Sequence, residues 1–328
     1  MRTINDIQPA ARPLLVIAAA AALLSLSLMT PRAEAAFPGE NGDITFDRFF
    51  KGGEEIFSID PESGATRRLT SDAIASGGDV AANDPAYSPD GSQIVFVNAV
   101  RRAGESSRAN DVFVMSADGS DPRRVTRTDG RELDPAFSAD GSTIAFKRGR
   151  EVYAIDADGT NERLLTGDVR RKAGEPVFSP DGTKVALTVN TGGDPDIVLL
   201  DIDGSDPVNL TPARVGIDRS PAFSPDGSQI VFIGEDPDGP ALDLYIVDTA
   251  GSEPQQVPLD PSVQLVNLGD LGEVAYSPDA TKLLFTGQVG ANGPTRPFTV
   301  DVSGGAAEKL GGAKMINTYN HDWGVAAP

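Results

Sequence analysis

The chain has 328 residues, 35 of them glycine and 25 proline, no cysteine, and a formal net charge of −20. Such acidity argues against a phosphate-binding surface, and so against nucleic acid as partner. Without cysteine there is no disulfide framework, no thiolate zinc site and no lipid-bearing N-terminal cysteine. A hydrophobic content of 39% is too high for a disordered chain, and the glycine and proline content is too turn-rich for a helical bundle.

The first segment reads as a targeting signal. Arg2 and Arg12 open it, residues 14–29 are an apolar run, and Ala33-x-Ala35 supplies the small residues of a cleavage site. Residues 1–35 are therefore expected to be a signal peptide cut after Ala35, and residues 36–328 the mature domain. An uncleaved anchor is the alternative, though the run is shorter than the roughly 20 residues that span a bilayer. The expectation is export, to the periplasm or the medium, with no membrane span after cleavage.

From here the chain repeats. Ser88-Pro89-Asp90-Gly91 returns as Ser138-Ala139-Asp140-Gly141, Ser179-Pro180-Asp181-Gly182, Ser224-Pro225-Asp226-Gly227 and Ser277-Pro278-Asp279-Ala280. An aromatic precedes each one (Tyr87, Phe137, Phe178, Phe223, Tyr276), and an apolar strand such as Ile94-Val95-Phe96 follows. A second turn, typified by Asp156-Ala157-Asp158-Gly159, follows a further apolar strand in each of six units, and most units end on a short strand such as Arg123-Arg124-Val125-Thr126. In Pro-Asp-Gly, proline presets φ, Asp can bond its own backbone, and Gly takes the left-handed position that closes a hairpin. Four strands per unit at this period is the pattern of propeller blades. Residues 36–328 allow about 49 residues for each of six units. The Ala280 departure implies that blade 6 turns differently or carries strain.

The first unit lacks an inner strand, since the mature chain enters on Gly42-Asp43-Ile44-Thr45-Phe46. Asn320-His321-Asp322-Trp323-Gly324 aligns with Asp84-Pro85-Ala86-Tyr87-Ser88, which places Trp323 on the repeated aromatic. The fold expected is all-β, a six-bladed β-propeller of four-stranded antiparallel blades closed by the C-terminal strand. Closure removes exposed strand edges, and Arg67, Arg68, Arg123, Arg124 and Arg163 on the outermost strands discourage edge pairing.

Aromatic-Ser-Pro-Asp-Gly-x-x-Ile-x-Phe followed by Val-Tyr-x-Ile-Asp-x-Asp-Gly and Leu-Thr resembles the TolB-like propeller repeat, which also builds the propeller domains of prolyl oligopeptidase-like enzymes. The resemblance covers about residues 42–325. It implies fold rather than function, because this repeat serves many roles. TolB itself carries an extra domain before its propeller. None is expected here, and with it no Tol–Pal role.

Little conventional catalytic chemistry is visible. Asp156-Ala157-Asp158-Gly159 and Asp236-Pro237-Asp238-Gly239 resemble the start of a calcium loop but lack its later ligands, so hairpin turns explain them and no cofactor is expected, calcium being the one possibility. There is no Gly-x-Ser-x-Gly elbow, and a triad would rest on the one histidine, His321. No glycine-rich phosphate loop opens a helix.

Function is read from an asymmetry. Both repeated turns fall on one face and are nearly uniform. The loops of the opposite face, 98–110, 147–150, 234–242, 260–272 and 287–296, differ in length and composition, as binding loops on a rigid scaffold do. Inner strands line the channel, and three residues before each aromatic stand Asp84, Asp134, Glu175, Ser220, Glu273 and Asn320. These, with Asp218, Arg219 and His321 beside them, form the candidate site at the channel mouth. Gathered carboxylates favour a cation or a basic group, unless they simply cap strands. The reading is an exported, monomeric scaffold for a protein or small ligand at the variable-loop face. The alternative is a propeller hydrolase using channel carboxylates with a divalent cation.

Overall fold

The computed structural model describes residues 37–50, 53–70, 81–101, 108–167, 169, 172–190, 193–212, 214, 216–235, 241–265, 273–290, 293–311 and 318–326. The expected leader and the segment 236–240 lie outside them.

Six antiparallel sheets form the blades of a ring. Blade 1 holds β1 (Asn41–Phe50), β2 (Gly53–Ile59) and β3 (Thr66–Arg68). Blade 2 is β4 (Ala82–Tyr87), β5 (Gln93–Arg101), β6 (Arg108–Ser116) and β7 (Arg123–Arg124). Blade 3 is β8 (Glu132–Phe137), β9 (Thr143–Arg148), β10 (Glu151–Asp156) and β11 (Arg163–Leu164). Blade 4 is β12 (Ala173–Phe178), β13 (Lys184–Asn190), β14 (Pro195–Asp201) and β15 (Val208–Asn209). Blade 5 is β16 (Asp218–Phe223), β17 (Gln229–Glu235), β18 (Leu242–Asp248) and β19 (Gln255–Gln256). Blade 6 has a split inner edge, β20 (Val263–Leu265) and β21 (Val274–Tyr276), both on β22 (Lys282–Val289), then β23 (Arg296–Asp301) and β24 (Glu308–Lys309). The last strand, β25 (Thr318–Val325), pairs with β1 inside blade 1.

The ring thus closes by the C-terminal strand, as the alignment of Trp323 requires. Ile44 pairs with Trp323, which is buried against Phe46, Ile59 and the blade 6 residue Leu284. Blades meet face to face, so a second strand is covered on both sides. That is why Ile94, Val95, Phe96 and Val97 run as consecutive buried residues instead of alternating. The core is therefore interblade: Val95, Val112 and Val114 pack on Phe137, Ile144 and Phe146 of the next blade.

The repeated motifs have mechanical explanations. Ser88 Oγ donates to Asp90 Oδ1 (2.7 Å) and accepts from the Gln93 amide (2.9 Å), while Gly91 N–H donates to Ser88 O at φ 67°. Ala280 keeps this same turn, donating to Ser277 O at 2.8 Å with φ 60°. Blade 6 turns like the others, and the alanine bears a conformation that disfavours a Cβ. The Leu-Thr ending is a clasp: Thr126 Oγ1 accepts from the Val112 amide (2.9 Å), and Thr70, Thr166 and Thr211 do likewise. Arg67 and Arg123 do more than blunt edges, since they donate to Ala117 O and Ala157 O of the following blade.

The loop expected over 98–110 is narrower than its composition suggests. β5 and β6 stay paired out to Arg101 and Arg108, because backbone pairing continues through polar residues. The same holds at Gly234–Leu242 and Gly287–Arg296, whose ends are strand.

Candidate functional site: the carboxylate ring of the central channel

The inner strands of blades 2 to 5 each break register once, between Asn83 and Ala86, Leu133 and Ala136, Gly174 and Val177, and Arg219 and Ala222, and β25 also breaks register between Tyr319 and Asp322. The residue three before the aromatic sits in that bulge with left-handed backbone: Asp84 (φ 51°), Asp134 (51°), Glu175 (51°), Ser220 (53°) and Asn320 (48°). Asp and Asn tolerate this region, and the neighbouring prolines 85, 135, 176 and 221 remove an N–H that the bulge would leave unpaired. Such strain at equivalent positions persists because the surrounding structure imposes it.

What imposes it is a chain of bonds around the channel. Asp84 Oδ2 accepts from the Asp134 amide (3.3 Å), Asp134 Oδ2 from the Glu175 amide (3.3 Å), and Glu175 Oε2 from the Ser220 amide (2.8 Å). Asn320 Nδ2 donates to Asp84 Oδ1 at 2.7 Å. Each carboxylate therefore caps the next blade's bulge. Among the described residues Glu273 of blade 6 does not extend this chain. Glu273 is not left-handed, and it makes no hydrogen bond among the described residues. Here the inner edge is interrupted between β20 and β21.

The ring residues border a cavity of about 140 Å³ that continues to Phe223, Tyr276 and Trp323, with Phe37 also in its wall. Inner strands run from the ring towards the Ser-Pro-Asp turns, so the cavity lies on that side of the ring. Burial raises the carboxyls of Asp84 and Asp134. A backbone bond restrains Asp84, while the negative charge of Asp84 drives Asp134 further up; Lys147, its Nζ 3.7 Å from Asp134 Oδ2, opposes both. Burial first, then Asp84, Asp134, Asp322 and Asp47, holds the Glu273 carboxyl well above its usual range. Burial also pushes Asp322 up to about 6, against bonds from the Tyr87 and Trp323 amides. The arrangement gathers carboxyls whose charged forms burial and mutual repulsion disfavour, and an entering cationic group would favour those charged forms. Among the described residues, no three His, Asp or Glu side chains are arranged to hold a metal ion.

The TolB beta propeller domain matches residues 151–323, just over half of the chain. The chain belongs to the TolB β-propeller family. A TolB homolog from Chlorobium luteolum is 30% identical over 165 residues, covering 49% of this chain and 34% of that protein. An uncharacterized peptidase from Bacillus subtilis, YuxL, is 30% identical over 118 residues, covering 34% of this chain and 18% of the peptidase. This TolB-family chain thus spans about a third of the one relative and under a fifth of the other. In fold it resembles TolB from Acinetobacter baumannii, with a TM-score of 0.67 at 17% identity, covering 86% of this chain and 66% of the other. It also resembles an oligogalacturonate lyase in complex with manganese, with a TM-score of 0.57 at 14% identity, covering 85% and 77%.

Within this TolB-like ring, the candidate residues divide. Asp84, Asp134, Glu175, Ser220, Glu273 and His321 line the cavity, and Asn320 braces Asp84. His321 is held between Thr286 Oγ1 and Thr318 Oγ1, each at 3.0 Å, and burial lowers it to about 3, so it is a neutral imidazole with both nitrogens engaged. Asp218 and Arg219 are buried but are not part of the cavity wall. Asp218 accepts from Arg214 Nε (3.0 Å), whose guanidinium lies over the Tyr245 ring. The Asp158 turn is satisfied internally by the Thr160 amide (2.9 Å) and hydroxyl (2.7 Å). Sequence reasoning missed Asp322, Lys147 and Phe37. The first two carry a signal: Asp322 stands where the other inner strands have Ala86, Ala136, Val177, Ala222 and Ala275, and Lys147 where β5 and β17 have Val97 and Ile233. Phe37 precedes the repeats and has no aligned position.

Proposed function

We propose that this TolB-like propeller is an exported scaffold that binds a protein or small ligand through its variable-loop face and acidic channel. The observation that carries the reading is Glu273: the one carboxyl of the ring that caps no backbone amide among the described residues, set among like charges in blade 6. A basic side chain or amine reaching it would relieve that repulsion. The leader-like N-terminus supports export, and among the described residues no helix is long and apolar enough to cross a membrane.

The test uses Glu273→Gln, which leaves the capping bonds of Asp84, Asp134 and Glu175 in place. A partner recovered from the native envelope or culture supernatant is titrated calorimetrically into both proteins, in low and high salt. The expected result is binding that weakens with salt and is lost or strongly reduced in the variant. Equal binding to both proteins overturns the channel reading. A second reading, hydrolysis by channel carboxylates with a divalent cation, draws support from the raised carboxyl of Asp134, which suits a proton donor. Calcium, magnesium or manganese that raises the melting temperature of wild type but not of the variant favours it.

A further inference from the structure

Phe37 is an aromatic side chain from outside the repeats that sits in the wall of the central cavity, with Trp323, Tyr276 and Phe223. Its approach is fixed on the turn face. Gly39 N–H donates to Pro278 O (3.3 Å), in the Ser-Pro-Asp turn of blade 6. Asn41 holds the same turn twice: Nδ2 donates to Asp279 Oδ2 (3.0 Å), and Oδ1 accepts from the Asp279 amide (3.2 Å). The Ala326 amide donates to Glu40 O (2.9 Å), which ties the segment to the end of the closing strand. Gly39 is pressed there, since a Cβ would stand 3.1 Å from Val325 Cγ1. Pro38 disfavours helical backbone at the preceding Phe37.

The geometry points to Phe37 as a plug: the chain's own N-terminal segment closes the channel from the turn face. With the turn face closed, the variable-loop face is the side of entry, with the carboxylate ring between it and Phe37. This closure sets the direction from which a cationic ligand arrives. It also makes the plug site a receptor for a short Phe-Pro segment, normally filled in cis.

The chain has a single tryptophan, and Trp323 is in the cavity wall, so its fluorescence reports on the plug. The full mature chain is compared with Phe37→Ala, Phe37→Leu and Asn41→Ala, using acrylamide as quencher and circular dichroism to verify the fold. Quenching of Trp323 should rise several-fold in Phe37→Ala and stay near wild type in Phe37→Leu. Asn41→Ala removes both bonds to Asp279 without touching the cavity, so it should also raise quenching even if Phe37→Ala folds poorly. The peptide Ala-Phe-Pro-Gly-Glu, added to Phe37→Ala, should restore protection. Folded Phe37→Ala and Asn41→Ala proteins with wild-type quenching, or a rise that the peptide does not reverse, overturn the plug. The inference rests on the channel reading for its use but not for its test: quenching reports the plug, and partner binding by Glu273→Gln reports the channel.

Discussion

Replacing Ala280 by glycine should stabilise the protein, against the usual direction for a glycine substitution. Ala280 occupies the closing position of a Ser-Pro-Asp turn at φ 60°, where Gly91, Gly141 and Gly227 stand in the other blades at 67–72°. A Cβ in this region costs roughly 1–2 kcal/mol. Glycine loosens the unfolded chain by about 0.4–1 kcal/mol in the other direction. The difference leaves a net gain of about 0.5–1 kcal/mol, a rise of roughly 1–4 °C in melting temperature for a chain of this size. The repeats supply their own controls. In Gly141→Ala the new Cβ meets only Pro89 Cδ at 3.7 Å, an ordinary contact, so the loss should mirror the Ala280→Gly gain. In Gly91→Ala it would stand 2.6 Å from Val325 O, backbone of the closing strand, so the loss should be clearly larger. Urea midpoints and calorimetric melts of the four proteins test the order. Destabilisation by Ala280→Gly, or equal losses in Gly91→Ala and Gly141→Ala, would refute the turn assignment.

The repeated acids should give stability a maximum in mildly acidic solution. Folding raises Asp322 to about 6, so its contribution is full below the ordinary carboxyl range and is lost as pH rises through 6. Bonds from the Ser224 hydroxyl and the Ser228 amide and hydroxyl lower Asp226, so its contribution is lost as pH falls below that range. Asp322→Asn should flatten the neutral limb of a profile of unfolding free energy against pH by roughly 2–3 kcal/mol, and Asp226→Asn the acid limb; an unchanged profile in both counts against the shifts. Thr126→Val strands the buried Val112 amide and should cost about 1–3 kcal/mol by chemical denaturation, while Thr126→Ser keeps the bond and most of the stability. Deleting residues 320–328 removes the strand that pairs with β1 and uncovers Phe46 and Ile59, so light scattering and calorimetry should show aggregation or loss of cooperative unfolding; a soluble protein with a wild-type melt would contradict closure by this strand.

Fold and closure were legible in the chain because they rest on local chemistry repeated many times. A Ser-Pro-Asp-Gly turn closes through bonds within six residues, as Ser88, Asp90 and Gln93 do, so each copy can be read alone and the period counts the blades. Trp323 was legible as the closing aromatic because it keeps the spacing of Tyr87 and Phe137 to the ring residues before them. The ring itself was legible as a set of equivalent positions. Its chemistry was not, because Asp84, Asp134 and Glu175 are each satisfied by an amide 41 to 50 residues away, as Asp134 is by Glu175 and Asp84 by Asp134. Only the closed ring brings those partners together and turns a row of acids into strand caps, with one member, Glu273, capping nothing among the described residues. Asp218 illustrates the same limit: it adjoins a ring position in sequence, yet its pairing with Arg214 holds it in the body of blade 5. Phe37 is the clearest case. Nothing in Ala-Phe-Pro-Gly announces a cavity, and its place depends on bonds to Pro278 and Asp279, some 240 residues further on. The sequence determined the turns, the strands and their number, since those are set by short-range backbone chemistry. The tertiary structure decided which acids stay buried without a cap and what closes the channel, since burial and charge depend on neighbours that only ring closure supplies.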